Sequence, residues 1–255
     1  MRFKDKVAVV TGGGTGIGLA VATALHREGA KVVINGRRKD LLLAASRAID
    51  STGQSVVAMP GDISKPETAE AVVAAATKTF GGVDILINNA GVFAPKPFLD
   101  HTEADFDRFI SIILKGKFFM AQAAAKAMKQ RGAGVIVQTG SMWALQAIAA
   151  TPSSAYSVAN AGVHQMVKNL ALELAADKIR INAVAPAVVE TPVYGTFIPE
   201  DQVKTVLASF DSFHPLGRIG QPKDVVSAIL FLASEDASWI TGTILPVDGG
   251  VMAGR

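Results

Sequence analysis

The stretch "VVTGGGTGIGLAVA" sets Gly12, Gly16 and Gly18 directly after a short apolar run and at the start of an alanine-rich one. Glycines so placed let the backbone turn sharply and approach a pyrophosphate, whose charge is stabilised by amide groups and by the positive end of the following helix. A glycine-rich string alone is a weak signal, but its setting of strand, turn, helix and second strand predicts phosphate binding. The second apolar run ends "VVINGRRKD", with Gly36, Arg37 and Arg38 where a chain selective for the non-phosphorylated dinucleotide usually carries an acid for the ribose 2′-hydroxyl. Glycine leaves room there and an arginine can fork onto a 2′-phosphate, so the residues favour NADP(H) over NAD(H). A solvated basic turn is the plainer alternative.

These residues need a scaffold, and the alternation of short β-branched runs with longer helical patterns supplies one. Strands are expected at 6–10, 31–35, 55–59, 84–88, 134–138, 179–184 and 243–247, and helices near 17–28, 40–52, 66–80, 103–130, 154–175 and 222–234. That succession predicts an α/β fold, a single-domain Rossmann-type doubly wound sheet of seven parallel strands with helices on both faces. One domain over 1–255 is expected, with 186–220 as an irregular segment covering the substrate, because Pro, Gly and aromatics interrupt the alternation there.

Composition narrows the partners. The formal charge is only +3, and the 25 basic residues form no run or stripe of the kind a nucleic acid or an anionic membrane needs. A small molecule is the expected partner. No cysteine is present, and His26, His101, His164 and His214 are dispersed, so neither a disulfide framework nor a metal site is expected. The N-terminal run is too short for a signal peptide and no apolar stretch is long enough to span a bilayer, which makes the cytoplasm the default location.

The ordered motifs "TGGGTGIG" (11–18), "GDIS" (61–64), "NNAG" (88–91), Ser141, Tyr156, "APAVVET" (185–191), "HPLGRIGQPKDV" (214–225) and "VDGG" (247–250) resemble the classical short-chain dehydrogenase/reductase family from Lys6 to Gly250. The resemblance implies a nicotinamide dinucleotide held by the glycine-rich turn with Thr15 and Ile17. It places Asp62 and Ile63 at the adenine, Asn89, Ala90 and Gly91 along the cofactor, and Thr191 near its nicotinamide end. It also implies a homotetramer or homodimer, and it names no substrate.

By the same resemblance Tyr156 is the candidate proton donor to a carbonyl that accepts a hydride, and Ser141 orients the same oxygen. Two departures stand out: the family's lysine is replaced by Asn160, and its relay asparagine by Ile113. Asn160 can hydrogen-bond a ribose but carries no charge. A tyrosine at its usual pKa of about 10 is protonated at neutrality, which suits carbonyl reduction and disfavours alcohol oxidation.

Lys117, one turn after Ile113, could reach the space that the missing pair leaves. A surface or interface position is the stronger expectation for it, since lysines rarely sit buried. His164 shares a helix face with Tyr156 and Asn160, where packing or an interface is expected rather than proton transfer. Tyr156 follows Ser141 by fifteen positions, a loop two residues longer than the commonest family spacing. With Met142, Trp143, Leu145 and the Phe197 region this suggests an apolar substrate pocket, Trp143 being the favoured contact. Two readings remain: an NADP(H)-dependent carbonyl reductase with a weakened or rerouted relay, and a non-catalytic dinucleotide-binding relative acting as sensor or assembly partner. Use of another acid or relay is not separable from the first.

Overall fold

A computed structural model describes residues 1–149 and 151–254; residue 150, between Ser141 and Tyr156 in sequence, and residue 255, the last of the expected span 1–255, lie outside them. Seven strands, β1 (Val7–Thr11), β2 (Lys31–Gly36), β3 (Val56–Pro60), β4 (Ile85–Asn88), β5 (Gly134–Thr139), β6 (Ile179–Pro186) and β7 (Ile244–Val247), form one sheet in the order β3-β2-β1-β4-β5-β6-β7. Every pairing is parallel. Each strand lies within one or two residues of its expected place.

The sheet is buried on both faces because side chains alternate along each strand. Ala8, Val10 and Ile34 face one side, against α1 (Gly16–Arg27), α2 (Lys39–Ile49) and α8 (Pro222–Ala233). Val7, Val9, Leu86 and Ile136 face the other, against α3 (Pro66–Phe80), α5 (Gly116–Arg131) and α6 (Ser154–Glu173). The strand order reverses between β1 and β4, where Thr11 and Asn88 lie opposite each other at the strand ends. Such a reversal opens a crevice beyond the carboxyl ends of the strands.

Two elements differ from expectation. The single helix expected over 103–130 runs continuously but changes type, as α4 (Glu103–Phe109), a π-helical segment Ile110–Lys115, and α5. The helix enters through a Thr102–Asp105 capping box, and the widened turn comes where Ile112 and Ile113 bury against the body and Gly116 approaches the Ile63 carbonyl. A π-turn shifts helical phase by adding a residue without interrupting the helix, so Ile113 and Lys117 both still turn inward.

The second difference is α7 (Glu200–Ala208), inside the stretch 186–220 that was expected to be irregular. Pro199 precedes it, Glu200 and Asp201 sit in its first turn, and Leu207 anchors its buried side. Acids near a helix N-terminus are favoured by the dipole. Among the described residues no helix is long and apolar enough to cross a membrane.

Candidate active site

At the reversal point a cavity of about 610 Å³ is lined by Gly12, Thr15, Gly16, Ile17, Arg37, Arg38, Asp62, Ile63, Asn89, Ala90, Gly91, Tyr156, Asn160 and Thr191, among others. Residues singled out in the sequence thus meet on one surface, carried there by the ends of five strands and the starts of α1 and α6. Gly12 has φ +67, and a Cβ there would lie 3.0 Å from Asn89 Nδ2, where the loop passes the end of β4. Gly18 does not line the cavity. A Cβ on it would stand 2.2 Å from the Gly12 carbonyl oxygen, so its role is to let α1 start flush against the turn.

The floor is fixed by hydrogen bonds between neighbouring strand ends. Ala90 N donates to Thr11 Oγ1 (3.0 Å), Thr11 Oγ1 to Asn88 Oδ1 (3.2 Å), and Asn89 Nδ2 to the Thr11 carbonyl (3.2 Å). The flush glycine turn at the start of α1 is a cradle that a side chain would fill, and it suits a diphosphate. Exposed Arg37 and Arg38 stand at the end of β2, with Arg38 Nη2 3.4 Å from Thr15 Oγ1. The residues present therefore fit a nicotinamide dinucleotide.

A second cavity of about 390 Å³ adjoins the first, sharing Ile17, Phe93, Thr139, Gly140, Tyr156, Thr191 and Val193 with it. Ser141 lines the second cavity, so the serine and tyrosine meet where the two spaces join. No charged side chain lines this cavity among the described residues; its walls include Trp143, Val188, Tyr194, Phe197, Leu207 and Phe210. Of the residues expected there, Trp143 and Phe197 take part. Met142 is wholly buried beneath and Leu145 is exposed, and neither lines the space. Trp143 is buried with its Nε1 unpaired among the described residues.

Phe93 was not found from sequence. Its ring lies edge-on to Tyr156 at 4.9 Å and to Phe197 at 5.5 Å, and it borders both cavities. Its position two residues beyond "NNAG", past the end of β4, was the available signal. Arg108 on α4 is a further lining residue to which no motif in the sequence points.

Tyr156 is half-buried, and burial raises its phenol above the usual value, with hydrogen bonding from Ser141 and Asn160 acting in the opposite direction. Its protonated form is thus the stable one at neutrality. Asn160 donates Nδ2 to the Tyr156 carbonyl at 3.0 Å, tying one amide group to its own helix. Ile113 is buried with Phe109, Ala159 and Val163, an apolar plug without hydrogen-bonding capacity.

Lys117 departs from the surface or interface position expected of it. It is 2% exposed and lines the larger cavity with Tyr156 and Asn160. Its Nζ donates to the Thr139 carbonyl, and its own carbonyl accepts from Asn88 Nδ2 (2.8 Å). The helix passes closely over the segment after β3 at Gly116, where an added Cβ would lie 2.8 Å from the Ile63 carbonyl oxygen, and the bonds to Asn88 and Thr139 hold Lys117 at the ends of β4 and β5.

His164 packs as expected: its Nε2 faces the Ser141 amide at 3.4 Å, and burial, with the charges of Lys117 and Lys168, lowers its pKa to about 4. A Cβ on Gly140 would lie 2.1 Å from that nitrogen. Gly140→Ala is therefore expected to cost about 1–3 kcal/mol in urea unfolding through overpacking, and His164→Ala in the same chain should recover most of the loss. Among the described residues no cluster of histidine, aspartate or glutamate could hold a metal.

Residues 12–252 match the family model described as enoyl-(acyl carrier protein) reductase. The chain is 38% identical over 252 residues to 3alpha-hydroxysteroid dehydrogenase from Mediterraneibacter gnavus, covering 98% of each. It is 35% identical over 259 residues to levodione reductase from Leifsonia aquatica, covering 99% of this chain and 96% of that protein. The crystal structure of levodione reductase superposes with a TM-score of 0.92 at 35% identity, all of both chains being covered. A glycine-lined dinucleotide crevice at the reversal point, a tyrosine and serine at its inner end, and these similarities across the chain's length agree: it belongs to the short-chain dehydrogenase/reductase family of oxidoreductases.

Proposed function

We propose that this protein is an NADP(H)-dependent reductase of a neutral, apolar ketone or aldehyde, with Tyr156 as proton donor and Ser141 orienting the carbonyl. The observation that carries this reading is the meeting of Ser141 and Tyr156 at the junction of two cavities, one glycine-lined and one without charge. When bound, the dinucleotide supplies the hydride. The chain's own part is to hold the carbonyl oxygen beside the Ser141 hydroxyl and the Tyr156 phenol. As the carbonyl carbon accepts the hydride, its π electron pair moves to oxygen, and the Tyr156 O–H proton crosses to that oxygen to give the alcohol.

The 2′-phosphate would be met by Arg37 and Arg38, beside Gly36. Thr15, Gly16 and Gly12 would face the diphosphate, Asp62 and Ile63 the adenine, Asn89 to Gly91 the length of the cofactor, and Asn160 and Thr191 the nicotinamide end. The relative named for a hydroxysteroid favours a ring-bearing substrate, and the aromatic wall of Phe93, Trp143 and Phe197 offers flat apolar contact for one. A homotetramer or homodimer accompanies this reading, through the faces of α5 and α6 that leave Phe118, Val158 and Leu172 exposed.

The test is NADPH consumption with neutral cyclic ketones and their carboxylate-bearing analogues, run beside NADH. Turnover confined to the neutral ketones and faster with NADPH supports the reading, and preference for the charged analogues contradicts the assigned cavity. The Arg37→Ala/Arg38→Ala double variant is expected to weaken NADPH binding by about 10–100-fold, the loss of charge-assisted hydrogen bonds, while leaving NADH binding within threefold. Equal losses for both cofactors would remove the assignment to the 2′-phosphate.

A further inference from the structure

Tyr156 gives up its proton in every reduction and must recover one before the next. Among the described residues, the ionisable ones lining the two cavities are Arg37, Arg38, Asp62, Arg108, Lys117, Tyr156 and Tyr194. Guanidinium groups do not release protons in this range, and Asp62, with Ile63 and the two arginines, stands at the β2–β3 end of the crevice. Tyr194 is held protonated by burial, and the nearby His164 stays neutral for the same reason. Lys117 is left as the group that can hold a mobile proton on the wall of the cavity it shares with Tyr156.

We propose that Lys117 is the proton reservoir of this site, the buried ammonium that reprotonates Tyr156 after each turnover. The inference rests on the reductase reading above. A lysine 2% exposed is costly to keep, and among the described residues no carboxylate pairs with it and its ammonium has the Thr139 carbonyl as its single hydrogen-bond partner. That leaves two of its three N–H groups uncommitted. Thr139 borders both cavities, and its buried hydroxyl has no partner among the described residues, so a polar step exists between the lysine and the space where Tyr156 faces substrate.

In the step itself a Lys117 N–H bond breaks and its proton passes through water in the cavity to the tyrosinate oxygen, re-forming the phenol O–H. The neutral amine left behind takes a proton from solvent. Burial lowers the lysine to about 7, close to neutrality, where it can both give and regain a proton. Its charge reaches His164 on α6, on which Lys168 also acts, and Tyr156 from α6 and Arg108 from α4 line the same cavity; its hydrogen-bond partners on β4 and β5 are the neutral Asn88 and Thr139. Lys117 acts through Tyr156 and is a positioning residue for the proton.

The test compares wild type, Lys117→Met and Lys117→Gln, the glutamine keeping a donor for Thr139. In wild type, kcat for ketone reduction is expected to fall as pH rises through the lysine's titration near neutrality. Both variants should lose that limb and run at least tenfold slower at pH 6.5, with NADPH binding, measured by fluorescence titration, within threefold of wild type. An active wild type whose variants keep the limb and a kcat within twofold would overturn the lysine's role alone. A wild type that binds NADPH yet reduces none of the ketones would overturn the reductase reading and the reservoir with it.

Discussion

Tyr156→Phe is expected to lower kcat for ketone reduction by about 10²–10⁴-fold, the usual contribution of a positioned general acid, while leaving the fold and NADPH affinity intact. The phenylalanine ring fills the same space against Phe93 at 4.9 Å and Phe109 at 6.1 Å, so only the hydroxyl is lost. Ser141 remains to orient the carbonyl, but a serine hydroxyl is a far weaker acid than a phenol. Measured kcat within tenfold of wild type would mean that another group, not the tyrosine, delivers the proton. A fall in activity that tracks loss of cofactor binding would instead point to a packing role for the ring.

The second large effect is on stability. Lys117 carries its ordinary pKa of 10.5 in the unfolded chain and about 7 when folded, the whole shift arising from burial. A base whose folded pKa is depressed opposes folding wherever the unfolded chain is protonated. The penalty is therefore absent above about pH 10.5, grows as pH falls, and is complete below about pH 7. At 1.36 kcal/mol per unit it reaches on the order of 3–5 kcal/mol. Urea unfolding of the cofactor-free protein should show wild type gaining stability relative to Lys117→Met as pH is raised from 6.5 to 9.5. Parallel stability curves for the two proteins would show that the lysine is solvated in the folded state.

Much of this architecture was legible in the chain. Runs such as "KVVIN" and "DILIN" are buried on both faces, so they read as continuous apolar strands, and the sheet follows from their alternation with helical patterns. The glycine turn, Arg37, Arg38 and the "NNAG" segment were legible because backbone geometry and charge dictate their residue types. The π-helical segment was not: "FISIILKGKFF" has the apolar content of an ordinary helix, and the extra residue shows only when Gly116 meets Ile63. The short helix α7 was hidden by the Pro and aromatics around it.

Lys117 illustrates the limit of composition. Lysine is overwhelmingly a surface residue, and nothing local to "KGKFF" distinguishes the buried Lys117 from the exposed Lys115 two positions earlier. The close approach of α5 to the strand ends decides it. Phe93 is likewise a residue whose role comes from the meeting of Trp143, Tyr156 and Phe197, which are distant in sequence.

In the proposed reaction Tyr156, with Asn160 and no lysine four residues on, works as a protonated acid. The most direct measurement is the ratio of ketone reduction to oxidation of the corresponding alcohol by wild type at pH 7, followed to pH 10. Reduction is expected to dominate at pH 7, with oxidation emerging only as the phenol ionises at high pH, because burial holds its pKa up. Alcohol oxidation near neutrality as fast as ketone reduction would contradict it, since that rate requires a tyrosinate the site does not favour.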